Sequence, residues 1–230
     1  MSRIAPIGQR YQAHCSGALW LPDERTVLVA DAHLGFGWAQ RRRGELGPVV
    51  DGGAHDALAS LLDELEPRRL IFLGDTVHAP KPGEKERALI ESTLSSLGRG
   101  ADITVVTGNH DRAFRRDFGH LGFDIVRELT VGGLRALHGD RLPKRWKGTL
   151  ALGHLHPSLT LREPSGARRP YRVFLETPRV LVLPAFSPFA SGSNLRRFLP
   201  EEWCVLIGPH PVGVIAVTGS TAARLGSIRL

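Results

Sequence analysis

Short apolar runs that stop abruptly at polar residues recur along this chain. Thr26–Ala30 ends at Asp31, Arg69–Leu73 at Gly74-Asp75, and Ile103–Thr107 gives way to Gly108-Asn109. Leu134–Leu137 then ends at His138, and Thr149–Leu152 at Gly153-His154. Runs of four or five β-branched or leucine-rich residues, bounded by glycine and polar residues, predict buried strands. Between the first three lie segments with helical spacing: His55 to Leu65, with Leu58, Leu61, Leu62 and Leu65, and Glu84 to Leu97, with Ala88, Leu89, Leu94 and Leu97. Strand, helix, strand, helix, strand predicts crossover units and an α/β sheet in the N-terminal half. After about residue 120 the pattern shifts to strands and turns, with predicted strands at Asp124–Leu129, Tyr171–Leu175, Val180–Leu183, Trp203–Ile207 and Val212–Val217. The expected fold is α/β: a two-sheet β-sandwich flanked by helices, in a single domain spanning residues 1–230.

Composition narrows the class. Of 230 residues 42% are apolar and 23% charged, the balance of a chain that folds around a core. The longest candidate apolar run, Val212 to Val217, is far short of the roughly 18 residues a membrane span needs. Met1 to Arg10 lacks the continuous apolar segment of a secretory signal, so a cytoplasmic location and no membrane partner are expected. Cys15 and Cys204 show no CxxC spacing and are expected to be buried free thiols. The formal charge is +7 and the pI about 10.2, which makes a polyanion a reasonable partner. Of the 30 cations 26 are arginine, whose planar fork grips phosphate oxygens in pairs, although a GC-rich coding sequence gives the same bias.

The polar residues at the strand ends are the ones that carry chemistry. They are Asp31 and His33 in Asp-Ala-His, Asp75 in Gly-Asp, Asn109 and His110 in Gly-Asn-His-Asp, His138 in His-Gly-Asp, and His154 and His156 in Gly-His-Leu-His. In open α/β sheets, sites form beyond the carboxyl ends of the strands, so these side chains should converge on one rim. Residues i and i+2 of a strand point the same way, so Asp31 with His33, and His154 with His156, offer paired ligands if the extended geometry persists. Singly, an Asp after a strand is usually a helix cap and a lone His is usually hydrogen-bonded. No arrangement of caps, however, requires Asp-x-His after one strand and His-x-His after another.

In this order the five blocks resemble the calcineurin-like, or binuclear, metallophosphoesterase superfamily, whose pattern runs D-x-H, GD, GNH[D/E], H, GHxH. The resemblance implies a two-sheet sandwich flanked by helices. It also implies two divalent metal ions, one held by Asp31, His33 and His156 and the other by Asn109, His138 and His154, with Asp75 bridging both. Such a donor set suits Mn, Fe or Zn, with Mn2+ the first expectation. His110 would sit over the scissile phosphate, Asp111 would orient it, and His78, three residues past Asp75, matches the GDxxH spacing of SbcD-type repair nucleases. Asp-Ala-His-Leu-Gly followed by Arg41–Arg43, Gly-Asn-His-Asp-Arg at 108–112, Gly-His-Leu-His-Pro at 153–157 and the Leu181 to Phe189 run look like the DNA-ligase-associated metallophosphoesterases, PdeM-like endonucleases. That family is associated with bacterial DNA repair alongside a ligase, a helicase and a second nuclease.

Basic clusters supply candidates for a nucleic-acid path. Arg112, Arg115 and Arg116 follow one motif, and Lys144, Arg145 and Lys147 follow His138. Arg41–Arg43, Arg168–Arg169 and Arg196–Arg197 are further clusters, and Trp38 and Trp146 are candidate stacking platforms. The expected function is a metal-dependent DNA endonuclease acting on DNA, single-stranded by preference. The alternative is a phosphodiesterase or phosphatase for nucleotides or other small phosphorylated metabolites, and a non-catalytic scaffold ranks below both because no ligand position is lost.

Overall fold

The structure, a computed structural model, describes residues 2–45, 52–163, 165–190, 192–195, 199–207 and 211–229. Among them two sheets form. The first begins with four antiparallel strands, β1 (Ile4–Ile7), β2 (Tyr11–His14), β3 (Leu19–Leu21) and β4 (Thr26–Val29). It continues in parallel through β5 (Arg69–Leu73), β6 (Asp102–Val106) and β7 (Asp124–Val126), so the strands lie in sequence order. Helix α1 (Phe36–Arg42) and helix α2 (Gly52–Leu65) lie between β4 and β5 in the chain, α3 (Glu84–Leu97) between β5 and β6, and α4 (Phe114–Phe118) between β6 and β7. Strand, helix, strand crossovers thus build β4 to β7 as expected, while the antiparallel strands β1 to β3 extend the same sheet.

The second sheet holds β8 (Glu128–Val131), β9 (Leu134–Leu137), β10 (Thr149–Leu152), β11 (Pro157–Arg162), β12 (Arg168–Glu176), β13 (Val180–Val182) and β14 (Ser193–Asn194). Two further strands, β15 (Val212–Val217) and β16 (Ala222–Ile228), extend it from β12. At its centre β9, β10 and β13 run parallel.

Period-two alternation explains how the layers stack. On β4, β5 and β6, Leu28, Ile71 and Val106 face the second sheet, where they meet Leu134, Ala136, Ala151, Phe174 and Leu181. The neighbouring positions Val27, Val29, Leu70, Phe72, Ile103 and Val105 face outward onto Leu58, Leu61, Ile90, Leu94, Phe114 and Phe118 of the helices. Strands buried on both faces read as unbroken apolar runs, which is why these were recognisable. The outer face of the second sheet is covered by α5 (Glu201–Ile207), whose Trp203 and Ile207 pack on Leu150, Leu152, Val180 and Val182.

Three expectations are corrected. The Trp203–Ile207 run is a helix. Pro200 precedes its first turn, Glu201 and Glu202 favour that end of the helix dipole, and the buried pair Trp203 and Ile207 has i, i+4 spacing while Val205 is 78% exposed. A five-residue apolar run fits either period. Asp124–Leu129 is not one strand: β7 ends at Val126 in the first sheet, and β8 starts at Glu128 in the second, so the chain changes sheet across Arg127 alone. Cys15 is buried as expected, but Cys204 lies exposed on α5. No helix among the described residues is long and apolar enough to cross a membrane.

Because Trp203 is 1% exposed, Trp203→Ala should cost about 3–5 kcal/mol of unfolding free energy in urea. Val205→Ser should change it by less than about 0.5 kcal/mol. Comparable losses at both positions would place Val205 on the buried face, as a strand would require.

Candidate metal centre

The site lies beyond the carboxyl ends of β4, β5, β6, β9 and β10, the five strands that end in the motif residues. Two groups of ligand atoms, each within 4.8 Å of one another, assemble there: Asp31, His33 and His156, and Asp75, His138 and His154. A third group, His33, His78 and His110, shares His33 with the first. Asn109 joins the second group, its Oδ1 lying 3.2 Å from His138 Nε2. The groups abut, since Asp31 Oδ1 is 3.1 Å from His156 Nε2 and 3.8 Å from His138 Nδ1. Asp75 Oδ2 lies 3.4 Å from His138 Nε2 and 3.9 Å from His110 Nε2.

The backbone reaches this arrangement by leaving the extended conformation. Asp31, His33, Asp75, His154 and His156 all have φ between +46° and +65°, the left-handed region that costs an ordinary residue on the order of 1–2 kcal/mol. The expected strand-like pairing therefore does not persist. Asp31 and His33 still share one group, but His154 and His156 are divided between two. Cross-links hold the strain: the Asp31 N–H donates to Gly74 O at 3.1 Å, the His33 N–H to Asp75 O at 3.0 Å, and the His154 N–H to Asp31 Oδ2 at 2.9 Å.

The glycines of the motifs are there for space. A Cβ on Gly74 would lie 2.1 Å from His138 Nδ1, on Gly108 2.3 Å from Asp75 Oδ1, and on Gly153 2.8 Å from Asp31 Oδ2. Each one is the gap through which a ligand from a neighbouring strand enters.

The donor set fits cations. Asp31 is fully buried, Asp75 nearly so, and the buried atoms Asp31 Oδ1 and His33 Nδ1 have no hydrogen-bond partner among the described residues. Two buried carboxylates surrounded by imidazoles are costly unless positive charge is bound between them. Burial pushes His33 and His78 down to about 4 and also lowers His154, keeping these imidazoles neutral and their lone pairs available. His138 behaves differently. Burial lowers it, but the bond to Asp75 and the charges of Asp31 and Asp75 outweigh that and hold it up at about 9. Burial raises Asp75, and its contacts with His138 more than reverse this, leaving it well below the usual carboxylate range.

His110 is oriented through its Nδ1, 2.5 Å from the carbonyl oxygen of His78, which makes Nδ1 the donor and leaves Nε2 toward the site. Asp111 does not touch that ring. Its buried carboxylate accepts the N–H groups of Gly108 at 2.9 Å, Val77 at 3.1 Å and Thr76 at 3.2 Å, stapling the loop after β5 to the loop after β6. Asp111 is the expected orienter of His110, but in the structure the His78 carbonyl is the group on the ring, and Asp111 fixes the loops that carry both.

Of the basic candidates, Arg112 and Arg115 line a cleft of about 620 Å³ that starts at Asn109 and His138. Arg127 and Arg141 line it too. Arg127 escaped sequence reading because it stands alone between two apolar runs. Arg116 is bound to Asp117 by contacts of 2.8 and 3.0 Å and does not line the cleft. Lys144, Arg145 and Lys147 are exposed on the segment after Arg141, outside the lining. Arg42 pairs with the buried Glu86 at 3.1 Å, and Arg169 with Glu163 at 3.4 Å. Trp146 is covered by the Arg179 guanidinium 4.6 Å from its ring centroid, so it offers no free stacking face on that side. Lys85 Nζ lies 5.9 Å from the Trp38 ring centroid. Arg196–Arg197 falls outside the described residues.

His138 generates a pH dependence. Its Nδ1 faces Leu73 O at 3.3 Å, so below pH 9 the additional proton sits on Nε2 and competes with a cation. Metal affinity should therefore rise about tenfold per pH unit toward pH 9 and then level off. Titration calorimetry at pH 7 in buffers of different ionisation enthalpy should show about one proton released per chain on metal binding, whereas zero release would place His138 outside the metal shell.

Residues 24–221 match the family model of the calcineurin-like phosphoesterases. Among solved structures, a nuclease, MPE, from Pseudomonas putida superposes with a TM-score of 0.73 at 22% identity, covering 96% of this chain and 100% of that one. YfcE, a phosphoesterase from E. coli, has a TM-score of 0.45 at 14% identity, covering 89% of this chain and 98% of that one. No curated protein sequence matches the chain. The five strand-end motifs, the paired ligand groups they build and a family match over most of the length lead to one conclusion: this chain belongs to the calcineurin-like phosphoesterase family of metal-dependent hydrolases.

Proposed function

We propose that the protein is a metal-dependent phosphodiesterase acting as an endonuclease on DNA, preferentially single-stranded, in DNA repair. The observation that carries this reading is the cleft beside Asn109 and His138, which brings Arg112, Arg115, Arg127 and Arg141 to the metal centre. Three carboxylates share the lining: Asp111, which is buried against backbone N–H groups, Asp140, and Glu128, which Arg135 holds at 2.6 Å. A row of guanidinium groups leading away from a phosphoryl-transfer site suits a substrate with several phosphates, since each gives paired contacts. The small-metabolite alternative calls for a closed pocket, and this cleft is open to solvent. The overall +7 charge and the name of the Pseudomonas putida neighbour support the same choice. This role implies a cytoplasmic chain working with a ligase, a helicase and a second nuclease, with Mn2+ as the first metal to test.

In this reading Asp31, His33 and His156 would hold one cation, and Asn109, His138 and His154 the other, with Asp75 available to both. Bound there, divalent cations supply Lewis acidity at the phosphoryl group and a source of hydroxide near neutral pH. The rest of the chemistry belongs to the chain. His110 presents Nε2 to the site while its Nδ1–H is held by the His78 carbonyl, so that a doubly protonated ring would direct its Nε2–H at the leaving oxygen. The buried Asp111 keeps the two ligand loops in register, so that the phosphate meets a preorganised centre.

Asp75→Ala should abolish cleavage of a phosphodiester and lower the metal content of the purified protein. His110→Ala should retain its metals and lose about 10²–10⁴-fold in rate. Loss of metal together with activity would move His110 into the coordination shell.

Neutralising Arg112, Arg115, Arg127 and Arg141 together should flatten the salt dependence of single-stranded DNA binding by about 0.7 log units per lost contact. Cleavage of DNA should fall while a small chromogenic diester is still hydrolysed. Equal loss on both substrates would favour the small-molecule reading.

A further inference from the structure

The Leu181 to Phe189 run has no part in the metal centre, yet the fold places its end at the edge of it. From β13 the chain passes under the site: Ala185 bridges Ala30, the Phe186 N–H donates to Ala30 O at 2.8 Å, and the Ser187 N–H donates to Asp31 O at 3.2 Å. Arg172, on β12, donates to the carbonyl oxygens of Ala185 and Phe186, both at 2.8 Å. These bonds fix a segment that then delivers Phe189 to the surface.

There Phe189 stacks on Phe36 of α1, with ring centroids 5.2 Å apart and planes within 7° of parallel. Phe36 in turn meets the His78 ring edge-on at 4.8 Å, and His78 lies 5.3 Å from His33 and 5.8 Å from His110. An unbroken row of rings therefore runs from the metal ligands outward to Phe189, which is 37% exposed. The arginine cleft starts instead from Asn109 and His138.

We propose that Phe189, backed by Phe36, is the stacking platform for a nucleobase next to the scissile phosphate. The proposal deepens the nuclease reading and rests on it. A flat, solvent-facing phenyl ring held parallel to a second ring accepts the π-face of any base, and a strand crossing the metal centre would leave by this edge or by the arginine cleft. The ring carries no hydrogen-bonding group, so it grips bases without choosing among them.

The test uses metal-loaded enzyme and two strands of equal length, oligothymidylate and a fully abasic strand. For the wild type, KM should be about 5- to 150-fold higher on the abasic strand. Phe189→Leu should collapse that ratio toward one, and Phe189→Trp should restore it. An unchanged ratio in Phe189→Leu overturns the proposal. A second measurement does not depend on cleavage: 2-aminopurine within the strand should be quenched on binding to the wild type and to Phe189→Trp, but not to Phe189→Leu. Absence of quenching in the wild type overturns the platform whether or not the strand is cut. Quenching without cleavage leaves the platform standing and overturns the nuclease reading alone.

Discussion

Two buried carboxylates, Asp31 and Asp75, set the terms for the rest of this structure. Among the described residues neither pairs with a lysine or arginine; the charged and polar groups they meet are imidazoles and main-chain N–H groups. Anions placed so deep in a protein demand positive charge, and here His138 meets part of that demand by holding a proton to about pH 9. The left-handed residues and the close glycines both follow from it. They shape the ends of β4, β5, β6 and β10 so that their side chains surround the same small volume as His138, at a conformational cost that a bound cation would offset.

Much of this was legible in the sequence because strand burial and strand termination are local signals. Val27 to Val29, Leu70 to Leu73 and Ile103 to Val106 are apolar at every position because they lie between two apolar layers, and a polar residue appears where the chain emerges. The ligands were legible for the same reason. What escaped was whatever depends on distant pairing. The conformation of His154 and His156 is decided by Asp31, more than a hundred residues earlier. Trp203 to Ile207 satisfies both periods, and the acidic first turn together with packing on the outer face of the second sheet selects the helix. Strands β1 to β3 are short, and their apolar faces make sense only against the second sheet.

Charge is the part that sequence reading handled least well. Clusters of consecutive arginines drew notice, but Arg116 is held by Asp117 and Arg42 by Glu86, while the isolated Arg127 faces the cleft. Adjacent side chains on a helix point in different directions, so a run of like charges seldom becomes a single surface. Positions from separate elements make the surface instead.

The crossing at Arg127 has a thermodynamic consequence. With β7 in one sheet and β8 in the other, the cleft lined by Ile125, Val126, Arg127 and Glu128 is the seam of the sandwich. Whatever occupies it touches both layers at once, and the unfolded chain offers no such seam. Occupancy of the cleft is therefore linked to cohesion of the two sheets: a ligand at a hundred times its dissociation constant adds about 2.7 kcal/mol to the stability of the whole fold. The two sheets are held together most firmly against unfolding when the cleft is engaged.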